Sequence, residues 1–327
     1  MDAVSRRRFI RTAAAAGTLA AFAQASAPKA AFGEASAPRS LRAQPNAGFR
    51  GPVCFFSKHL PRMDARRLAR ALGPLGFGAV DLTVRPRGHI EPARVAADLP
   101  PFVRDLRDEG FDVPMITTGL LSASDPAARP TLETAAALRI PYWKPGYYRY
   151  AFVDLKKELD AAGRQLRGLA QLSAQAGIQM GYHNHAGYLG GPVWDIASII
   201  DGLDPSSAGY YFDVRHAVVE GGDAGWRTAL LLAAPRLKMI SLKDFFWEKT
   251  AAGWQQRHCP MGEGMVDWKA FFAMLAKAGF HGPASLHLEY DIPGATDAAL
   301  EDHTLEAAAR DLAYVKARLA EAYTEAR

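Results

Sequence analysis

At 327 residues, with 49% apolar and 22% charged side chains, the chain has an ordinary globular composition and is long enough for two small domains or one large barrel. The formal charge of +5 invites a nucleic-acid reading, but Arg6, Arg7, Arg8 and Arg11 against Asp2 place +3 of it in residues 1–25. The remaining charge is scattered over helical stretches among acidic residues, with no basic stripe, which argues against nucleic-acid binding. Two cysteines, Cys54 and Cys259, lack metal-type spacing and are read as free thiols.

The chain opens with Ser5-Arg6-Arg7-Arg8-Phe9-Ile10-Arg11, then an Ala-rich apolar stretch from Thr12 to Phe22 and an Ala23-Gln24-Ala25 cleavage pattern. This order resembles a twin-arginine export signal. The resemblance implies the twin-arginine export machinery as a partner, a cleaved leader over 1–25 and a periplasmic or otherwise exported protein. The apolar run is too short to serve as a permanent membrane anchor. Residues 26–48, rich in Ala, Pro, Ser and Gly, read as a flexible linker, so the folded domain is expected over 49–327.

From residue 52 onward, short apolar runs alternate with amphipathic stretches, the pattern of a parallel sheet with helical crossovers. Strands are expected at Val53–Ser57, Ala79–Val84, Val113–Thr117, Ile140–Lys144, Ile178–His183, Gly209–Asp213, Met239–Lys243 and Ala284–Glu289. Asp64–Leu75 places Leu68, Leu72 and Leu75 on one helical face, and Asp154–Ala176 aligns Leu155, Leu159, Leu166 and Leu169. Trp268–Ala278 and Thr304–Ala320 read the same way, and Gly76, Gly110, Gly177 and Gly279 stand where helices should stop. Eight such units predict a single (β/α)8 TIM barrel. A doubly wound sheet is disfavoured, because Phe56-Ser57-Lys58-His59-Leu60-Pro61 stands where a Gly-rich phosphate loop would be.

A barrel builds its active site at the C-terminal ends of its strands, and titratable residues collect there. Seven of the nine histidines lie at or just past those ends: His59, His89, His183, His185, His216, His258 and His287. A lone histidine is more often a packed residue than a ligand, but this bias is not an accident of packing. Strand alternation puts His183 and His185 on one face and Asn184 on the other, and pairs His287 with Glu289. Asp81 and Arg85 read equally well as a salt bridge closing the barrel mouth or as substrate contacts.

Five ordered motifs carry a family resemblance across residues 52–320. They are Gly181-Tyr182-His183-Asn184-His185, Asp213-Val214-Arg215-His216, Ser241-Leu242-Lys243-Asp244, Met261-Gly262-Glu263-Gly264 and Leu288-Glu289-Tyr290. They resemble the fifth-strand, sixth-strand, seventh-strand, Pro-Gly-Glu-Gly and closing-Glu motifs of the xylose isomerase-like sugar isomerases and epimerases. The segments Phe56–Leu60 and Asp81–His89 look like those of an exported subgroup of that family.

The resemblance implies metal-assisted enolisation of an unphosphorylated sugar. The family's metal ligands fall on His183, Asp213, Ser241 and Glu289, of which neutral Ser241 is a poor ligand. The expected metal set is therefore His183, Asp213 and Glu289, with His185, His216 or His258 able to supply a missing nitrogen. An imidazole in place of a carboxylate points to manganese, zinc or iron. The other reading is a site without metal, in which Lys243 or Lys144 holds the substrate oxygens.

Glu289, His183 and His216 are the expected catalytic residues. The expectation includes a Glu289 pKa raised by an apolar setting, and strands five and eight facing each other across the barrel. Lys58, His59, His89, Lys144, His185, Lys243 and His258 are the expected substrate-binding residues, and Tyr147, Tyr148, Trp194, Trp247 and Trp254 are candidates to stack on a sugar ring. Elimination or hydrolysis of an oxidised sugar, and a non-catalytic sugar-binding barrel, stay open as alternatives, as does a homodimer.

Overall fold

The computed structural model describes residues 48–325, so the expected leader and most of the expected linker lie outside the described residues. Eight parallel strands close into a barrel. These are β1 (Val53–Phe56), β2 (Ala79–Val84), β3 (Asp112–Thr118), β4 (Tyr142–Lys144), β5 (Gln179–His183), β6 (Ala208–Asp213) and β7 (Leu237–Leu242), then β10 (Ala284–Leu286) after a hairpin of β8 (Asp244–Thr250) and β9 (Gly253–Cys259). The order round the barrel is β1-β10-β7-β6-β5-β4-β3-β2, so each strand pairs with its neighbour in sequence once the hairpin is set aside.

Each barrel strand is followed by a helix: α1 (Ala65–Leu72), α2 (Val95–Asp108), α3 (Ala128–Ala137), α4 (Leu155–Ala176), α5 (Ala197–Asp201), α6 (Val214–Ala233), α7 (Trp268–Lys277) and α8 (Asp297–Glu325). The main apolar core lies between this helical layer and the outward faces of the strands, with Leu68, Leu99, Leu166, Phe271 and Leu312 all buried in it. Helix starts are set locally: Asp64, Asp154, Asp213 and Asp267 each accept a backbone N–H of the first turn. Gly177 adopts φ 73° as it ends α4 and turns the chain into β5, which a residue with a Cβ does at a cost.

The barrel interior is small and mixed. Met115, Tyr211 and Met239 form a separate apolar cluster. A Cβ on Gly181 would meet Met239 Cε at 2.2 Å, so the glycine of β5 makes room for that side chain. Above this cluster the interior turns polar.

Three expectations are corrected. The eighth strand ends at Leu286, short of Glu289: His287 N still donates to the backbone of β7 at Leu242 O, but Leu288 N donates instead to a side chain, His59 Nε2. Leu155 is 49% exposed, because a helix of 22 residues runs to roughly 33 Å, longer than the five-residue strand β5 it precedes. The segment 244–259, where the sequence predicts no strand, is the β8–β9 hairpin, with seven antiparallel residue pairs from Asp244↔Cys259 to Thr250↔Gly253. Both cysteines are free and buried.

Candidate functional site

Asp213 is the centre of the barrel mouth. It ends β6, caps α6 by accepting His216 N at 3.0 Å, and is fully buried. Asn184, one residue past β5, clamps its backbone: Nδ2 donates to Asp213 O (2.9 Å) and Oδ1 accepts Asp213 N (2.7 Å). Asp213 Oδ2 then meets three groups: His183 Nε2 at 3.1 Å, Lys243 Nζ at 3.1 Å and His216 Nε2 at 3.9 Å. Burial pushes this carboxyl up, but Lys243, His216 and His183 together hold it well below the usual carboxylate range. Burial likewise pushes both imidazoles well below their ordinary value, so they are neutral near pH 7.

Neutral imidazoles have assignable protons. Tyr147 Oη lies 2.8 Å from His183 Nδ1. Arg215 Nη1 lies 3.0 Å from His216 Nδ1, and a guanidinium only donates, so the ring proton of His216 sits on Nε2. The ring of His185 packs against that of His216 at 3.8 Å between centroids.

The second group joins the ends of β1 and β10. Lys58 Nζ reaches both oxygens of Glu289, at 2.7 and 2.6 Å, and His287 Nδ1 stands 3.5 Å from Oε1. Burial alone would raise the Glu289 pKa, as expected from the sequence. The His287 contact, Lys243 and Lys58 reverse it and hold the carboxyl well below the usual range.

The third group lies in the interior, on β2 and its neighbours. Asp81 accepts from Thr117 Oγ1 (2.8 Å) and Ser285 Oγ (2.7 Å), and Ser285 Oγ lies 3.0 Å from His287 Nε2. Arg85 makes no ion pair with it among the described residues, so the expected bridge across the mouth is absent. Burial raises the Asp81 pKa to about 6, the two hydroxyls offsetting only part of the shift.

A cavity of about 520 Å³ opens at this mouth. Of the expected site residues it is lined by Lys58, His183, His185, His216, Lys243, His258 and Glu289, together with Tyr147. Asp213 lies directly behind that lining. Three expected substrate contacts are elsewhere. His59 accepts Leu288 N and so fixes the chain leading to Glu289. His89 packs on Phe102 and borders a groove between α1 and α2. Lys144 is buried with its Nζ 3.5 Å from the centroid of the Tyr147 ring. Tyr148 stacks on Tyr182, and Trp247 and Trp254 are exposed on the hairpin.

The residues missed by the sequence reading are Arg215, Tyr211, Glu220 and Gln256, all in the cavity lining. Arg215 stands inside the Asp213–His216 motif, where an arginine in the first turn after a barrel strand was the available signal.

Ligand atoms of His183, Asp213 and His216 lie within 4.8 Å of one another, so this buried cluster can hold a metal ion. Two of the expected ligands, His183 and Asp213, thus cluster with His216, one of the histidines expected to be able to supply a further nitrogen; Lys58 engages both oxygens of Glu289, while His216 Nε2 is buried without a partner. Ser241 Oγ is also buried and unpartnered on the adjoining strand. A metal here competes twice, with the Lys243 ammonium for Asp213 Oδ2 and with Arg215 for the tautomer of His216.

A closed (β/α)8 barrel with a histidine- and carboxylate-rich mouth defines the class of protein. A family model for the xylose isomerase-like TIM barrel matches residues 68–317, and the chain belongs to that family. No curated protein matches it in sequence. Among solved structures, an L-ribulose 3-epimerase superposes with a TM-score of 0.64 at 16% identity, covering 84% of this chain and 97% of that one. A xylose isomerase-like TIM-barrel protein from Mycobacterium smegmatis, in complex with magnesium, gives 0.63 at 16% identity over 84% and 98%. The 3-keto-D-glucoside 4-epimerase of E. coli gives 0.61 at 15% identity over 82% and 99%. These likenesses are likenesses of fold.

Proposed function

We propose that the chain is a sugar isomerase or epimerase that moves a carbon-bound proton next to a carbonyl. The observation that carries this reading is the pairing, in one cavity, of a carboxylate and two neutral imidazoles held by different strands. Glu289 follows β10, while His183 and His216 belong to β5 and the start of α6. Strand β5 lies three places from β10 round the barrel, one short of directly opposite, so the two sides flank a bound sugar obliquely.

Enolisation needs a base on one side and positive charge at the developing oxyanion. Glu289 serves as the base once a substrate oxygen draws the Lys58 ammonium away from it. Lys243 supplies charge at the oxygen, and, where no ion occupies their Nε2 atoms, the Nε2–H of His183 or His216 supplies a proton. His183, Asp213 and His216 would hold a divalent ion; two nitrogens and one oxygen suit manganese, zinc or iron. When bound, it adds Lewis-acid charge beside the oxyanion. Such an ion competes with the Lys243 ammonium for Asp213, so occupancy should rise with Lys243→Met; occupancy unchanged in that variant would remove this ligand set.

The catalytic test is exchange of the substrate's carbon-bound proton with deuterated water. Glu289→Gln should slow exchange by at least ~10²-fold with fold and substrate affinity retained. Exchange at the wild-type rate in that variant ends the role of Glu289. The family match and the epimerase fold likenesses support a sugar as the substrate class; that it is unphosphorylated follows from export. Export rests on the Arg6-Arg7-Arg8 leader alone. Replacing Arg6 and Arg7 by Lys should leave uncut precursor in the cytoplasm, and normal processing would refute it.

A further inference from the structure

The cations of the cavity divide into two kinds. Lys58 is bound to Glu289 and Lys243 to Asp213. Arg85 and Arg215 also line the cavity, yet neither has a carboxylate within ion-pair distance among the described residues. Arg215 is the sharper case. It is 3% exposed, its Nε is buried without a partner, and its only polar contact is the ring nitrogen of its neighbour His216. Its guanidinium carbon sits 4.7 Å from the centroid of the Phe245 ring, which holds the plane of the fork in place. Gln256 and His258, from the β9 side of the hairpin, line the same cavity.

A guanidinium stays protonated, and burying one without a counter-charge is costly. Its fork matches the two oxygens of a carboxylate or phosphate and gains most where water is excluded. Arg215 feels Asp213 and Glu289 only at longer range, and Arg85 adds a second cation without an ion pair from the far side of the mouth, since β2 and β6 are four places apart round the barrel. Glu220 also lines the cavity, where its Oε1 accepts Gly187 N at 2.7 Å, but it makes no ion pair with Arg215 among the described residues.

We infer that Arg215 is a specificity-determining residue that takes an anionic oxygen group of the substrate, and that the sugar is a carboxylated one, such as a uronic or keto-acid sugar. This rests on the isomerase or epimerase reading for the word substrate, but the anion site stands on Arg215 itself. A bound carboxylate would complete the charge of the mouth, with Lys243 and Glu289 left to the reacting carbons. A neutral sugar would leave the fork unanswered.

The test titrates full-length protein with a panel of hexuronates, their parent hexoses and the matching hexose 6-phosphates, following Tm and deuterium uptake at carbon. At least one uronate should bind roughly tenfold or more tightly than its parent hexose. Arg215→Gln should erase that preference, and Arg215→Lys should keep only part of it, raising KM more than it lowers kcat. Should the Gln variant not fold, the Lys variant decides alone: weaker uronate binding with unchanged hexose binding supports the fork. Hexoses binding as well as uronates, a preference that survives in both variants, or no binding by any member would overturn the inference. Preference for the phosphates would keep the anion site and overturn the carboxylate. Uronates that bind through Arg215 yet exchange no proton would sink the enolisation reading while leaving the anion site intact.

Discussion

Asp81 and Asp213 are both fully buried carboxylates on barrel strands, four places apart round the ring, and they behave in opposite ways. Asp81 sits among hydroxyls in the interior and is pushed up to about 6. Asp213 sits at the rim against an ammonium and two imidazoles and is held well below the usual range. Burial is equal, so the neighbours decide the sign. The interior tolerates a proton-holding acid, whereas the rim concentrates charge where a substrate would arrive.

The comparison can be broken most forcefully at the rim. Asp213→Asn keeps the helix cap but strands Lys243, which is 4% exposed, so it should cost about 3–5 kcal/mol of unfolding free energy. Denaturant titration measures this, and adding Lys243→Met should recover much of the loss. A single variant as stable as the wild type would mean that the pair does not hold the rim together.

The interior predicts the reverse. The folded pKa of Asp81, about 6, stands above its unfolded value, so its contribution is full below about pH 4 and is lost as pH rises through 6. Asp81→Asn can still accept from Thr117 and donate to Ser285. It should stabilise the protein at pH 7 to 8 by on the order of 3 kcal/mol, with the gain vanishing near pH 4. Melting curves of both proteins across that range check the sign. Asp213 runs the other way, stabilising above its unfolded pKa and failing as acid protonates it.

The smallest effect belongs to Tyr147→Phe. It removes the hydroxyl bonded to His183 but leaves the ring against Lys144, so about 1 kcal/mol of stability should go. Turnover should fall by less than Asp213→Asn causes, and equal losses would make Tyr147 part of the chemistry.

The barrel was legible because strands buried on both faces read as apolar runs, and because helix-ending glycines such as Gly177 stand between helix and strand patterns. The hairpin was not, since the run Trp254-Gln255-Gln256-Arg257 is exposed and gives no alternation of burial. His183, His185, His216 and Glu289 were placed by their spacing past strand ends. His59 and His89 share that spacing, but sequence position does not say whether a side chain turns inward or outward. The pKa of Glu289 was misjudged for a related reason: Lys58 lies 231 positions away in the chain and comes to hand only when the barrel closes. Arg215 went unread because only folding shows that its guanidinium is buried without a carboxylate.

Asp244 has a consequence beyond the site. Its carboxylate collects the backbone N–H groups of Gly262, Gly264 and Val266 and the indole of Trp268, tying the root of the β8–β9 hairpin to the start of α7. None of the groups in that knot lies between Phe245 and Cys259. The hairpin, which brings Gln256 and His258 over the cavity, thus hangs from a root whose hydrogen bonds are made outside it: the residues that shape recognition and those that anchor the frame are separate sets.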